Sequence, residues 1–330
     1  MKGRRPPWEA IARDPRAYQI AALGTLLALG LTGYGFDVPL PHVAVTLTSA
    51  LVGQWVATRM GWPPRPLLKR NTPAASTSPP RFEWRSALIS GLSLCLLLRA
   101  RHAGWMALAG LVAVWSKFLL RVPRAGAAPT GPGGGEAATK HVLNPTNGAI
   151  VLLLLAGAPV WVSPGQWGHH LPLAFGIAGF GSLVVHRSAR SDVTLAFLAA
   201  WAAVLFGRAA WVGQPWSVPL HQLENGGLAL FAFHMISDPK TTPDSRAGRI
   251  VFACLVALGA GFVQFVLFRT HGLLWSLAAC SLLVPLLDRV LPGRAFDWSA
   301  PGTGARSTEV RHAVPLVPSP ARPLGGARPV

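Results

Sequence analysis

Acidic residues are scarce in this chain, with 12 Asp and Glu against 30 Lys and Arg in 330 residues, and charged residues of all kinds make up only 13%. A soluble domain carries about 25% charge, so a large water-facing surface is excluded. Only three cysteines are present, Cys95, Cys254 and Cys280, each inside an apolar run and none at a metal-type or thioredoxin-type spacing. A disulfide framework and a thiolate metal site are therefore not expected, and helix packing is left as their role. There is no P-loop and no GxGxxG after a strand, so soluble nucleotide chemistry is not built in. His42, His141, His221 and His234 offer no haem-specific spacing, and no metal site is expected.

What is present is apolar: 51% hydrophobic residues and a mean hydropathy of +0.39. A bilayer core takes about 20 apolar residues as helix. Applying that length gives ten candidate spans, at 18–36, 42–58, 84–98, 103–120, 147–162, 171–187, 192–207, 220–236, 249–268 and 272–291. The expected fold class is thus all-α, a polytopic integral membrane protein with about ten transmembrane helices. The first run has basic residues before it and no small-x-small cleavage site after it, and reads as a retained helix.

The net charge of +18 might suggest nucleic acid, but the basic residues sit between apolar runs, and no nucleic-acid partner is expected. They fix orientation instead. With the N-terminus in the cytoplasm and ten alternating spans, only Arg99, Arg101, Arg208 and Arg269 fall outside, leaving 26 of the 30 basic residues inside. The positive-inside rule therefore predicts both termini in the cytoplasm, and the localisation expected is multi-pass in a bacterial-type inner membrane. Most of the thirteen tryptophans, Trp8, Trp62, Trp84 and Trp161 among them, fall at span ends or in loops as interfacial belts. Segment 1–17 reads as cytoplasmic, 18–291 as the membrane domain, and 63–82 and 122–139 as cytoplasmic loops. Segment 292–330, rich in Pro, Gly and Arg, reads as a disordered cytoplasmic tail.

Three segments concentrate polar groups at span ends. Lys140-His141-Val142-Leu143-Asn144-Pro145-Thr146-Asn147-Gly148 opens the fifth span. Pro145 suits a first helical turn and Asn144 can cap its amides. The same free amides, with Lys140 and His141 alongside, also suit a phosphate or an electron-rich ring, and both readings stand. His234-Met235-Ile236-Ser237-Asp238-Pro239-Lys240-Thr241-Thr242-Pro243-Asp244 closes the eighth span. Asp238 lies at the hydrocarbon edge, where an ionised group needs a partner, and Lys240, Arg246 and Arg249 are in range by sequence. His221-Gln222-Leu223-Glu224-Asn225-Gly226-Gly227 enters the eighth span, and its glycines admit a helix or a flat ligand to the backbone.

The run from Gly226 to Pro243 resembles the glycine-rich helix and Asp-Pro loop of the family that includes the D subunit of the Rnf electron-transport complex and the B subunit of the sodium-pumping NADH:quinone reductase. His141-Val142-Leu143-Asn144-Pro145 is similar to that family's helix start, and Gly248-Arg249-Ile250 and Leu283-Val284-Pro285-Leu286-Leu287-Asp288 to its last two helices. The likeness is clearest over 140–290. It implies a membrane flavoprotein that moves electrons between redox subunits or to quinone, coupled to ion movement. The family's Ser-Gly-Ala-Thr motif, whose Thr carries a phosphoester-linked flavin, has no counterpart in Ser163–His170. Thr194, in Ser191-Asp192-Val193-Thr194, lies one helix later and on the other side. This departure resembles divergent relatives associated with enediyne biosynthesis. The resemblance then implies FMN or riboflavin held noncovalently, with no covalent flavin, by Asn144, Pro145, Thr146, Gly226, Gly227, His234, Asp238, Lys240, Thr241 and Thr242. Its partners would be other membrane or redox subunits, quinone and the lipid bilayer. The rival expectation is a permease-like protein or assembly scaffold tied to secondary-metabolite biosynthesis or resistance.

Overall fold

Helices account for most of the described residues, and each expected span that falls on them overlaps at least one helix. The computed structural model describes residues 14–60, 82–123, 139–163 and 190–293, with isolated positions at Gly176, Gly179, Gly181, Ser182 and Val185. The expected span 171–187, the N-terminal segment before Asp14, most of the two predicted loops and the tail from 294 lie outside the described residues.

Helix α1 (Pro15–Thr32) starts where the Asp14 side chain accepts the Arg16 N–H, α2 is Leu40–Arg59 and α3 is Trp84–Leu97. Strand β1 (Leu98–Ala100) follows α3 directly, then come α4 (Ala103–Leu119) and β2 (Arg121–Pro123). The next group is β3 (Thr139–His141), α5 (Pro145–Leu155) and β4 (Val160–Val162). After α6 (Ser191–Val212), the short α7 (Ser217–Leu223) leads into α8 (Gly226–Leu230), which continues as a π turn over Phe231–Met235. The chain closes with α9 (Arg246–Phe265), α10 (Gly272–Ser281) and α11 (Val284–Val290).

The fold is mostly helical, as expected, with four described strands of three residues each at the helix ends. β1 pairs antiparallel with β4 (Leu98 opposite Val162), and β2 with β3 (Arg121 opposite His141). The two ladders sit at opposite ends of α4, whose 17 residues span about 26 Å at 1.5 Å per residue. That distance is close to the thickness of a bilayer core.

Among the described residues, three helices, α2, α6 and α9, are long and apolar enough to cross a membrane alone, and α10 with α11 forms a fourth candidate bent by 52°. Four expected spans are interrupted, each for a local reason. α3 ends when Leu98 turns extended. α5 stops at Leu155, before Gly157 at φ +66° and Pro159. The eighth span breaks at Glu224–Asn225, where the Asn225 side chain accepts the Gly227 N–H and starts a new helix. The tenth bends at Leu282–Leu283, just before α11, where Pro285 in the first turn has no N–H with which to continue the α10 ladder.

Small residues let the helices approach. The buried side of α2 holds Thr46, Ala50, Gly53, Gln54 and Ala57. A Cβ placed on Gly110 of α4 would lie 2.8 Å from the Thr46 carbonyl and against the Ser49 hydroxyl. Between α6 and α9, Trp201 lies parallel to Phe265 with centroids 6.4 Å apart. Gly110→Ala should lower the melting temperature of the detergent-solubilised protein, by about 1–3 kcal/mol of overpacking. Gly104→Ala on the same helix meets nothing within 4 Å and should not lower it.

Candidate functional site

Asn144 precedes Pro145 and does two jobs. Its Oδ1 accepts the Asn147 N–H at 3.1 Å, capping α5 as expected of a helix start. Its Nδ2 donates to the Met235 carbonyl at 3.3 Å and lies 3.4 Å from Asp238 Oδ2. Two motifs 94 positions apart in sequence are thus brought together. Thr146 and Asn147 are buried in the first turn. The Asn147 Nδ2 donates to the Leu274 carbonyl of α10 at 3.2 Å, while its Oδ1 has no partner.

The Asp-Pro loop winds tightly around one residue. The Asp238 carbonyl accepts the N–H groups of Thr241 and Thr242, each at 3.2 Å, and also their hydroxyls at 3.4 and 3.1 Å. Asp238 Oδ1 accepts the Lys240 N–H at 3.0 Å, the side-chain turn that Asp commonly makes. Arg190 Nη2 donates to the Pro239 carbonyl at 3.4 Å. Thr241 and Thr242 are buried, so both hydroxyls work inside the loop. Burial pushes the Asp238 carboxyl above its ordinary range, against the opposing pull of the Lys240 N–H and the charges of Lys240, Lys117 and Arg190.

The cations near the α5 start are already engaged. Lys140 Nζ donates to Asp288 Oδ2 at 2.6 Å and to Asp244 Oδ1 at 3.3 Å, with almost no exposure. His141 lies in β3, and burial, reinforced by the positive charges of Arg121, Lys240 and Lys117, holds its imidazole well below the usual histidine value. It is neutral at pH 7.

Gly226 and Gly227 lie apart from this cluster, at the start of α8. Gly227 lines a cavity of about 280 Å³ whose polar groups are Gln222, Asn225, Gln264 and His271. Met235 and Leu274 also line it, and these are the residues whose carbonyls Asn144 and Asn147 hold. The cavity and the polar loop therefore share a wall. His234, in the π turn, is buried, and neither ring nitrogen has a hydrogen-bond partner. Thr194 is buried with its hydroxyl donating to the Ala232 carbonyl at 2.9 Å.

Sequence reasoning passed over several residues at this end of the bundle. Asp192 takes both Arg249 Nε and Nη2, joining the starts of α6 and α9. Lys117, buried in the last turn of α4, donates to the Ser86 carbonyl and hydroxyl at 2.9 and 3.0 Å. A lone lysine closing an apolar run was a readable signal; the Arg190 and Arg249 contacts depend on packing and had none.

Because His141 is depressed when folded, the unfolded chain takes up a proton near pH 6.5 that the folded chain refuses. Stability contributed at this position is therefore lost as pH falls below about 6.5. The melting temperature should drop less between pH 7 and 5.5 in His141→Gln than in the parent.

Residues 137–297 match the family described as NQR2, RnfD, RnfE. Among curated proteins, the chain is similar to the D subunit of the ion-translocating oxidoreductase complex of Stutzerimonas stutzeri, 39% identical over 88 residues, or 25% of this chain and 23% of that one. The protein of the same name from Tolumonas auensis is 31% identical over 80 residues, 24% of this chain and 23% of that one. The one from Erwinia tasmaniensis is 26% identical over 116 residues, 34% and 32% of the two chains. The matched stretches thus cover no more than about a third of these relatives.

Proposed function

We propose, from the premise that residues 137–297 are related to the NQR2, RnfD, RnfE family, that this multi-pass membrane protein is a subunit of an ion-translocating oxidoreductase complex and holds a flavin noncovalently. The supporting observation is the bond from Asn144 to both Met235 and Asp238, which joins the two motifs on which the family resemblance rests. The partners are other membrane and redox subunits, with quinone as an electron acceptor. The membrane is a bacterial inner membrane crossed about ten times with both termini inside.

The residues fit a flavin as a neutral, flat ring. The cavity wall itself offers Gln222, Asn225, Gln264 and His271 as polar groups. Behind it, next to Met235 and Leu274, both His234 nitrogens and Asn147 Oδ1 are buried without partners, at about 1–3 kcal/mol each when left unsatisfied. Gly227, next to Gly226, leaves room for a ring at the α8 backbone, and the cavity reaches from Gly227 to Met235. Asn144 reaches that wall through the Met235 carbonyl, with Pro145 and Thr146 following it in the first turn of α5. Asp238, Lys240, Thr241 and Thr242 hold the loop that carries the Met235 end of the wall. FMN or riboflavin would supply one- and two-electron transfer there. The chain's own part is to position the ring and exclude water. Thr194 is no attachment point in this reading, since its hydroxyl is used on Ala232.

One observation favours a second reading, a permease-like protein of secondary metabolism such as enediyne biosynthesis. The interrupted helices α8 and α10 both begin at the cavity, at Asn225–Gly227 and His271–Gly272, as the broken helices of transporters do.

The gently purified protein should yield about one acid-extractable flavin per chain and no fluorescent band in a denaturing gel. Asn144→Ala or Asp238→Ala should reduce flavin retention about tenfold, the effect of losing one or two hydrogen bonds. Flavin absent from the parent would overturn this reading in favour of the permease. For orientation, an impermeant thiol reagent applied to intact cells should label Phe268→Cys and spare Arg246→Cys.

A further inference from the structure

The bonds that join the two motifs directly are long. Asn144 Nδ2 lies 3.3 Å from the Met235 carbonyl and 3.4 Å from Asp238 Oδ2, whereas a good N–H···O bond is about 2.9–3.0 Å. Contacts of that length are a weak device for holding two segments in register. A stronger tie runs through a residue of neither motif. Asp288 lies on α11, which leaves the α10 axis by 52°. Its Oδ1 accepts the Asp244 N–H at 2.8 Å and its Oδ2 accepts Lys140 Nζ at 2.6 Å. Lys140 Nζ also meets Asp244 Oδ1 at 3.3 Å. The side chains of Lys140, Asp244 and Asp288 are only 2%, 3% and 7% exposed.

The positions matter as much as the lengths. Lys140 stands four residues before Asn144, and Asp244 two residues after Thr242. One carboxylate therefore grips the chain just upstream of the α5 start and just downstream of the Asp-Pro loop. Both bonds involve an ionised group, and such bonds are roughly twice as strong as neutral ones. Arg249 adds a bond of 2.8 Å from its Nη1 to the Asp244 carbonyl, but its carboxylate partner is Asp192 of α6, so it does not reach the Asn144 segment.

We propose that Asp288 is a positioning residue that sets the Asn144 helix start and the Asp238–Thr242 loop in register with each other, by holding Lys140 and the Asp244 amide at once. The part of this that concerns ligand binding rests on the flavin reading above; the loop geometry does not. Asp288→Asn keeps an oxygen for the Asp244 N–H and withdraws the charge from Lys140, so it loosens the tie without removing side-chain volume.

The test uses the full chain in detergent with two readouts. The first is labelling of a cysteine at position 241, where the native threonine is buried, by a hydrophilic maleimide, with the Thr241 parent as background for the native cysteines. The second is riboflavin affinity by fluorescence quenching in chains with native Thr241. Asp288→Asn should raise the labelling rate of the Thr241→Cys chain about tenfold and raise the riboflavin Kd by about the same factor. Asp288→Glu, which keeps the carboxylate, should restore both to near the parent. A lower melting temperature with labelling and Kd both unchanged would overturn the proposal, because Asp288 would then only stabilise the fold. If the parent binds no riboflavin but labelling still depends on Asp288, the positioning role stands and the flavin reading fails. If the parent and Asp288→Asn bind riboflavin alike and label alike, the flavin reading stands and the positioning role fails. Should Asp288→Asn not fold, Lys140→Gln cuts only the tie to the Asn144 segment, and the same increases are expected; their absence would likewise overturn the proposal.

Discussion

Everything in this fold answers to one constraint: inside a bilayer there is no water to satisfy an N–H or C=O released by a broken helix. This chain breaks its helices repeatedly and closes each break from within. Where α3 and α5 give out, β1 and β4 pair their extended backbones with each other. Arg99 adds its guanidinium to the Cys95 and Leu98 carbonyls at the end of α3. Where the π turn interrupts the α8 ladder, Thr194 donates to the Ala232 carbonyl and Ser237 to the Phe233 carbonyl. Asn225 starts α8, and Asn147 reaches across to the Leu274 carbonyl of α10. Asn and Thr are well suited to these places, being short side chains that pair with backbone without introducing a charge.

The charged groups obey the same rule at one end of the bundle. Asp192 with Arg249, and Lys140 with Asp244 and Asp288, join β3, α6, the Asp-Pro loop, α9 and α11. Removing one member of a buried pair leaves the other uncompensated at about 3–5 kcal/mol. These pairs therefore hold the loop in one arrangement, whatever they add to net stability.

How much of this was legible depended on how local the cause was. The positions of the apolar runs and the α5 start at Asn144–Pro145 were readable, because a hydrophobic run and an Asn-Pro cap act within a few residues. The strands were not: Leu98-Arg99-Ala100 continues an apolar run, and nothing local separates three extended residues from a last helical turn. The break at Glu224–Asn225 hides for a different reason, because the same residues could cap a helix from outside the membrane. Asp238 was singled out as an acid at the hydrocarbon edge with Lys240 in range, and the Lys240 backbone N–H does meet it, but its contact with Asn144, 94 positions away, was not legible. Asp288 looked like one more letter of a family motif. Its contacts lie 44 and 148 positions away, and no pattern along the chain encodes such a distance.

The two parts of the candidate site meet at a pair of amides. Met235 and Leu274 line the cavity, and their carbonyls are held by Asn144 and Asn147, one turn apart on α5. Asn144 also touches Asp238, whose carboxyl is pushed upward by burial. The path from the cavity wall to a carboxylate of perturbed affinity for protons is thus a carbonyl and one amide long. Under the proposed function, a ring bound in the cavity would change charge as it is reduced. Of the titratable groups, His271 lies in the cavity wall itself, and Asp238 is joined to that wall through Asn144 and the Met235 carbonyl. Coupling of electrons to ions also needs a two-state element that both the redox group and the titratable group bias. The Asp-Pro loop, wound on the Asp238 carbonyl and anchored at its far end on Asp288, is the element placed to serve.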